Sequence, residues 1–355
     1  MSLAQKLLKT TAKGVKGNVA VESKFLSKET QSIPTALPIY NVALSGKING
    51  GLTPGVTILA GQSGVGKTLL SWLSAKAFQQ KYPDGVVVFY DSEFGTTNEY
   101  LGGLDIDLDR VIHIPVNNIE ELNFDIMAKL EDIDENDEVL FLVDSLGNIA
   151  SKKEVEDALA EKSVTDMSRA KKMKGLFRQI TPIISSKSLY FVGIAHVYEG
   201  QGMFAKTEIS GGTGLFYAAN TVIILSKSKA KDSTGQTGVN VNMTIRKSRY
   251  IKEGIRFSAE LDFVKGFKPF SGLIDILLET GLIIKPSNGF YQVVNPETGE
   301  LEHDGKKFRQ KEIETKEVLL PLLKSNVFQQ QVKDKFLLVT EGRKTIDSSL
   351  IDDIV

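Results

Sequence analysis

Residues 61–68 read Gly61-Gln62-Ser63-Gly64-Val65-Gly66-Lys67-Thr68, and this stretch decides the fold. It fits G-x-x-x-x-G-K-[ST] in full, with an apolar run over 56–60 before it and a helical pattern from Leu69 after it. Glycines let the backbone curl so that successive N–H groups point inward, where phosphate oxygens can be held. The N-terminus of the following helix adds positive potential. Lys67 would neutralise the β- and γ-phosphates of a bound triphosphate, and Thr68 would hold Mg²⁺. A strand that runs into such a loop and out into a helix is the first unit of a parallel α/β sheet.

Outward from this loop the same alternation repeats. Short apolar runs occupy 86–90, 111–115, 139–143 and 189–195, with helical patterns over 69–81, 119–131 and 154–180 between them. Together with 56–60, these runs are too continuous for half-exposed strands, so a sheet covered on both faces is expected. Later runs at 221–225, 241–245 and 257–263 lie closer together, which suits antiparallel pairing. After Gly266 the pattern changes. Residues 271–280 read as a helix ended by Gly281, residues 289–294 and 300–308 as a hairpin around 295–299, and residues 311–338 as mostly helical. Residues 1–30 stand apart. Leu3, Leu7 and Leu8 make a short apolar helical stripe, and the segment from Val19 to Phe25 is strand-like.

Composition bounds the rest. The chain has 355 residues, enough for about two domains or one large α/β domain with appendages. It has no cysteine, which excludes disulfides, thiolate metal sites and a cysteine nucleophile and suits a reducing compartment. Three histidines, His113, His196 and His303, argue against a His-rich metal centre. No apolar run reaches membrane-spanning length, and the basic N-terminus lacks the apolar core of a secretory leader. Net charge is −1, so any nucleic acid must be held by a local patch rather than by the whole molecule.

Two further strand ends carry acids. Val139-Leu140-Phe141-Leu142-Val143-Asp144 buries a strand and delivers Asp144 to its carboxyl edge, beside the metal. Val86-Val87-Val88-Phe89-Tyr90-Asp91-Ser92-Glu93 does the same with two carboxylates. Hydrolysis needs a group that takes a proton from water, and chemistry alone does not choose between Asp91 and Glu93. Two segments after strand ends suit a phosphate backbone. Residues 169–178 hold five basic residues in ten and no acid, namely Arg169, Lys171, Lys172, Lys174 and Arg178; a solvated helix face is the alternative. Residues 198–214 hold five glycines with Phe204 and Lys206, a loop too polar to pack alone.

The residues NVALSGKINGGL at 41–52, FYDSEFG at 89–95, VDSLGNIASKKEVEDAL at 143–159, GGTG at 211–214 and SGLIDILLETGLIIKP at 271–286 resemble RecA-type recombinases. The wording is nearest to the T-even bacteriophage members of that family. The resemblance covers residues from about 35 to 295; beyond about 300 it weakens, and a long acidic tail is missing. It implies an α/β fold: a RecA-like P-loop NTPase core over 33–265 with a mostly parallel central sheet. An N-terminal oligomerisation arm over 1–32 and a small C-terminal α+β extension over 266–355 would flank it.

By the same resemblance Glu93 activates the attacking water, and Tyr100 stacks on adenine. His196 senses the γ-phosphate where bacterial members carry glutamine. Lys247 and Arg249 reach the γ-phosphate bound in a neighbouring copy; arginine at the second place keeps the charge and changes the geometry. Arg169, Lys171, Lys172, Lys174, Phe204, Lys206, Gly211 and Gly212 fall on two DNA-contacting loops, which can hold a backbone without reading bases.

The implied cofactors are ATP and Mg²⁺. The implied activity is DNA-dependent ATP hydrolysis with homologous pairing and strand exchange, in recombination, repair and recombination-dependent replication. The implied partners are single-stranded and double-stranded DNA, further copies in a head-to-tail helical filament, a loading mediator and a single-stranded-DNA-binding protein, all in a bacterial host cytoplasm and without a membrane. Phe25 is the arm residue expected at the subunit interface. Rival expectations are a ring-forming RecA-like helicase, an ATP-gated DNA-binding scaffold and a small-molecule kinase. The kinase would want an arginine-rich lid, which the sequence lacks.

Overall fold

A computed structural model describes residues 2–11, 19, 32–134, 136–160, 168–199, 207–232 and 235–338. The chain forms two units, Met1–Gln31 and Ser32–Val355. In the first, Leu3–Lys9 is a helix started by a capping box, in which Ser2 and Gln5 exchange side-chain and backbone hydrogen bonds. None of its residues is buried. The strand-like segment that ends at Phe25 lies outside the described residues apart from Val19.

In the second unit the apolar runs become one nine-stranded sheet. Its strands are β1 (Gly55–Gly61), β2 (Val86–Asp91), β3 (Val111–Pro115), β4 (Val139–Asp144) and β5 (Tyr190–Ala195), then β8 (Thr221–Asp232), β9 (Gly235–Ser248), β10 (Arg256–Asp262) and β11 (Gly266–Phe267). Two short strands, β6 (Val197–Glu199) and β7 (Thr207–Ile209), make a ladder of their own. The order is β11-β10-β9-β8-β1-β5-β4-β2-β3. From β8 to β3 every pairing is parallel, and from β8 to β11 every pairing is antiparallel. The crossover helices fall on both faces and bury two cores. One packs Tyr40, Trp72 and Phe78, and the other packs Ile126, Phe141 and Phe177. Burial of such apolar area is the main favourable term in the fold.

Three expectations need correction. The run over 111–115 is not covered on both faces: β3 is the end strand, and Ile112 is 47% exposed. An end strand has a neighbour on one side only, so apolar continuity does not report two-sided burial there. The pattern over 154–180 is not one helix but two, Lys152–Leu159 and Ser168–Ser186; the second runs on through Pro182. The C-terminal hairpin also begins one strand earlier. β12 (Ile283–Ser287) turns at Gly289, which has φ +77°, into β13 (Phe290–Val293). β13 then also pairs with β14 (Phe308–Arg309), the pairing read from the sequence. Pro286 and an exposed face hide β12 from a period-two reading.

The C-terminal helices Lys316–Lys324 and Asn326–Phe336 join the core that holds Tyr40 and Trp72, and Phe336 meets Phe257 edge-on at 5.3 Å. Among the described residues no helix is long and apolar enough to cross a membrane.

Candidate nucleotide site

The parallel strands end along one edge, and the predicted acids and the glycine loop meet there. After Gly61, Gly64 and Gly66 take φ values of +69° and +92°, the left-handed region that glycine alone enters without penalty. The helix Lys67–Lys81 begins directly after Gly66, and no side chain caps it. Its first N–H groups therefore face the loop's hollow, which is what an anion needs. Lys67 is buried, and Nζ donates to the carbonyls of Gly61 at 3.1 Å and Gln62 at 2.8 Å. Burial lowers its pKa, opposed by the nearby charges of Glu93 and Asp144. An ammonium resting on loop carbonyls exchanges them for phosphate oxygens at little cost in geometry.

Asp144, at the end of β4, accepts the Thr68 hydroxyl at 2.7 Å through Oδ2. Its other oxygen, Oδ1, is buried and has no hydrogen-bond partner among the described residues. Burial pushes this carboxyl up to about 6, against the Thr68 bond and with help from the charges of Glu93 and Asp91. A hydroxyl beside an orphaned carboxylate oxygen fits a hard divalent cation such as Mg²⁺.

The same features predict a stability effect. Asp144 binds a proton more tightly folded than unfolded, so its ionisation opposes folding. That penalty builds as pH rises from about 4 to about 6 and is complete above. A shift of this size is on the order of 3 kcal/mol. Asp144→Asn, which keeps an acceptor for Thr68, is expected to raise the Tm of the nucleotide-free protein by a few degrees at pH 8. The gain should shrink as pH falls through 6, and thermal melts across pH would measure it. An unchanged or lower Tm at pH 8 would show that the carboxylate is not strained there.

Glu93 lies just past β2. Its Oε1 accepts from His196 Nε2 at 2.8 Å and from Asn148 Nδ2 at 3.0 Å. Partial desolvation would raise its pKa, but the Ser145 side chain, the hydrogen bond from His196 and the charge of Lys67 hold it below the usual carboxylate range. Asp91 has other work: Oδ1 accepts the N–H groups of Glu93 at 3.0 Å and Phe94 at 2.7 Å, and Oδ2 faces His113 at 3.3 Å. Tyr100 stands on the helix Asn98–Gly103, partly exposed, and its hydroxyl pKa is raised by desolvation and by the charge of Asp144.

Lys247 and Arg249 are not part of this constellation. Thr57 of β1 pairs with Thr221 and Gly61 with Leu225, while Lys247 pairs with Val222 and Ser248 with Thr221. Lys247 is thus three residues back from Leu225 along β8, about 10 Å away from the loop's end of the sheet. Arg249 is farther still and exposed. Lys247 Nζ donates at 2.9 Å to the carbonyls of Phe216 and Tyr217, at the end of the helix Gly212–Ala218.

The predicted DNA-contacting residues divide. Lys171 and Lys174 are exposed on the helix Ser168–Ser186, beside Gly211 and Gly212. A Cβ on Gly212 would sit 3.5 Å from Ala170, and one on Gly214 only 2.6 Å from Lys174, so the two helices approach closely there. Lys172 pairs with Glu120 at 2.9 Å. Arg169 turns inward, donating to the carbonyls of Ile149, Leu146 and Gly147 at 2.9, 3.1 and 2.6 Å. Phe204 and Lys206 lie outside the described residues.

Sequence reasoning missed Asn148 and also Lys227, whose Nζ donates to the Gly64 carbonyl at 3.1 Å. Asn148 lies inside the quoted segment 143–159 without a spacing that singles it out, and Lys227 stands in no motif.

Against known families, the model of the RecA N-terminal domain matches residues 5–267. The model described as bacteriophage T4 recombination and repair protein, C-terminal domain, matches residues 270–332. The chain is 39% identical over 355 residues to the recombination and repair protein of Enterobacteria phage T4, covering 99% of this chain and 90% of that one. It is 28% identical over 289 residues to protein RecA of Streptomyces rimosus, 79% of this chain and 73% of that protein. For protein RecA of Malacoplasma penetrans the figures are 26% over 246 residues, 68% and 73%.

Proposed function

This chain belongs to the RecA family of recombinases, and from that premise we propose a filament-forming, DNA-dependent ATPase that pairs and exchanges DNA strands. One observation carries the assembly part. The phosphate loop follows the carboxyl end of β1, whereas Lys247 on β9 lies level with Ile58, about 10 Å back along the sheet, and spends its Nζ on the Phe216 and Tyr217 carbonyls, so the basic pair does not meet the loop within one copy. A second copy stacked head to tail can bring it there, and a heterologous contact that does not close yields a helix.

In this reading residues 61–68 hold the phosphates, Tyr100 stacks on the base, and Thr68 with Asp144 hold Mg²⁺. Bound there, the metal would supply charge neutralisation on the phosphates. Glu93 takes the proton of the attacking water, and ATP and water become ADP and phosphate. Loss of the γ-phosphate removes the anion on which Lys247 and Arg249 of the next copy rest, so the interface loosens. His196, hydrogen-bonded to Glu93 and continuous with the β6–β7 ladder, links this chemistry to the segment over 198–214.

Lys171, Lys174, Gly211 and Gly212 form the described part of a backbone-binding face, and Phe204 and Lys206, outside the described residues, are assigned to it by the same reading. Binding through phosphates is indifferent to sequence, as strand exchange between any homologous DNAs requires. The open edge of β3 and the exposed Leu3 and Leu7 offer a second contact between copies. The arm over 1–32, with Phe25, is assigned to that contact in this reading. A loading mediator and a single-stranded-DNA-binding protein belong to the same reading as further partners.

ATP hydrolysis with and without single-stranded DNA, with negative-stain images of the same samples, tests this. Stimulated turnover and open helical filaments are expected. Closed rings would favour a helicase, and hydrolysis indifferent to DNA would favour a scaffold.

A further inference from the structure

Glu93 takes the Asn148 and His196 donors on a single oxygen, and those donors come from different segments. His196 follows β5, at the root of the 198–214 segment. Asn148 sits in the turn after β4, at the root of the segment that leads to the helix Ser168–Ser186. That turn is firmly built. The Leu146 N–H bonds the Ile194 carbonyl at 2.8 Å, and Ser145 and Ser92 exchange hydrogen bonds at 3.0 and 2.9 Å. Arg169 gathers three of the turn's carbonyls from the first residues of the helix that carries Lys171 and Lys174.

The two roots also touch each other. A Cβ on Gly147 would lie 2.9 Å from His196 Cδ2 and 2.5 Å from Ser210 Oγ, so only glycine fits between them. Movement of either segment therefore reaches the Glu93 carboxylate through the side chain at its root, Asn148 or His196.

We infer that Asn148 is a positioning residue that restrains Glu93 in the DNA-free protein, and that DNA at the Ser168–Ser186 helix releases it through Arg169. A donor on a carboxylate stabilises the anion and makes it a poorer base. Asn148 supplies such a donor without a charge of its own, so its bond can break without stranding an ion. The inference rests on Glu93 acting as the base.

The test is steady-state hydrolysis by the full chain, with and without a single-stranded oligonucleotide. Asn148→Ala is expected to raise kcat without DNA by about tenfold, the worth of a hydrogen bond to a charged group. KM for ATP should stay unchanged and the DNA-stimulated rate should stay near that of the parent, so that the stimulation ratio falls. Asn148→Asp, which cannot donate and repels Glu93, should behave alike. A structural defect would lower both rates. DNA-free kcat unchanged or reduced in both variants overturns the inference. If the parent itself shows no stimulation by DNA, the reading of the site fails instead.

Discussion

Glu93→Gln is expected to bind ATP and single-stranded DNA as the parent does and to hydrolyse ATP about 10²- to 10⁴-fold more slowly, the usual worth of a positioned general base. The substitution is close to isosteric. A glutamine oxygen can still accept from Asn148 and His196, which hold the carboxylate now. What disappears is the capacity to take a proton from water. The alternative acid, Asp91, cannot substitute for it. Asp91 is 2% exposed, its Oδ1 holds the two N–H groups that shape the turn, and its Oδ2 faces His113. Asp91→Asn should therefore loosen the turn rather than mimic the glutamine variant. Single-turnover hydrolysis alongside a fluorescent-nucleotide titration separates the two effects. Loss of nucleotide binding in Glu93→Gln would make Glu93 a structural residue. With hydrolysis blocked, filaments on DNA should persist rather than turn over, which imaging at late times would record.

That contrast shows what the sequence could carry. The eight residues at 61–68 act through a local backbone turn, so their meaning is complete in the string. Asp144 is legible for a related reason: acidic residues often end strands, but one that ends a buried strand downstream of a phosphate loop is placed beside the metal. The choice between Asp91 and Glu93 is not legible, because it depends on partners far along the chain. Glu93 meets Asn148, 55 residues on, and His196, 103 residues on.

Charge runs mislead in the same way. The basic stretch over 169–178 reads as one face, yet Arg169 is consumed by backbone carbonyls and Lys172 by Glu120, while Lys171 and Lys174 stay exposed. A helix spreads neighbouring residues around its axis, so density of charge in sequence is not density on a surface. The 111–115 run fails as well, because an apolar strand at a sheet's end looks like an apolar strand at its centre.

Lys67→Ala is expected to abolish turnover with and without DNA while leaving the fold in place. Lys67 is the single cation whose position follows directly from the loop, and in the nucleotide-free protein it rests on the Gly61 and Gln62 carbonyls. Alanine leaves those carbonyls without the ammonium. It also removes a buried charge whose desolvation already opposed it, so the net effect on Tm should be small. The effect on nucleotide is not small. A charge-assisted bond to phosphate is worth about 1.5–3 kcal/mol in binding, roughly a ten- to hundredfold loss of affinity. The contribution grows as negative charge moves onto the leaving oxygen during hydrolysis, so kcat should fall even at saturating ATP. Lys67→Arg tests whether charge alone suffices. Its planar fork is larger than the ammonium, and the buried position at the helix start leaves it no matching site, so it too should be inactive. Thermal melting confirms that both variants fold, and hydrolysis at saturating nucleotide gives kcat. Normal DNA-stimulated turnover in a folded Lys67→Ala protein would mean that residues 61–68 do not hold the phosphates that are cleaved.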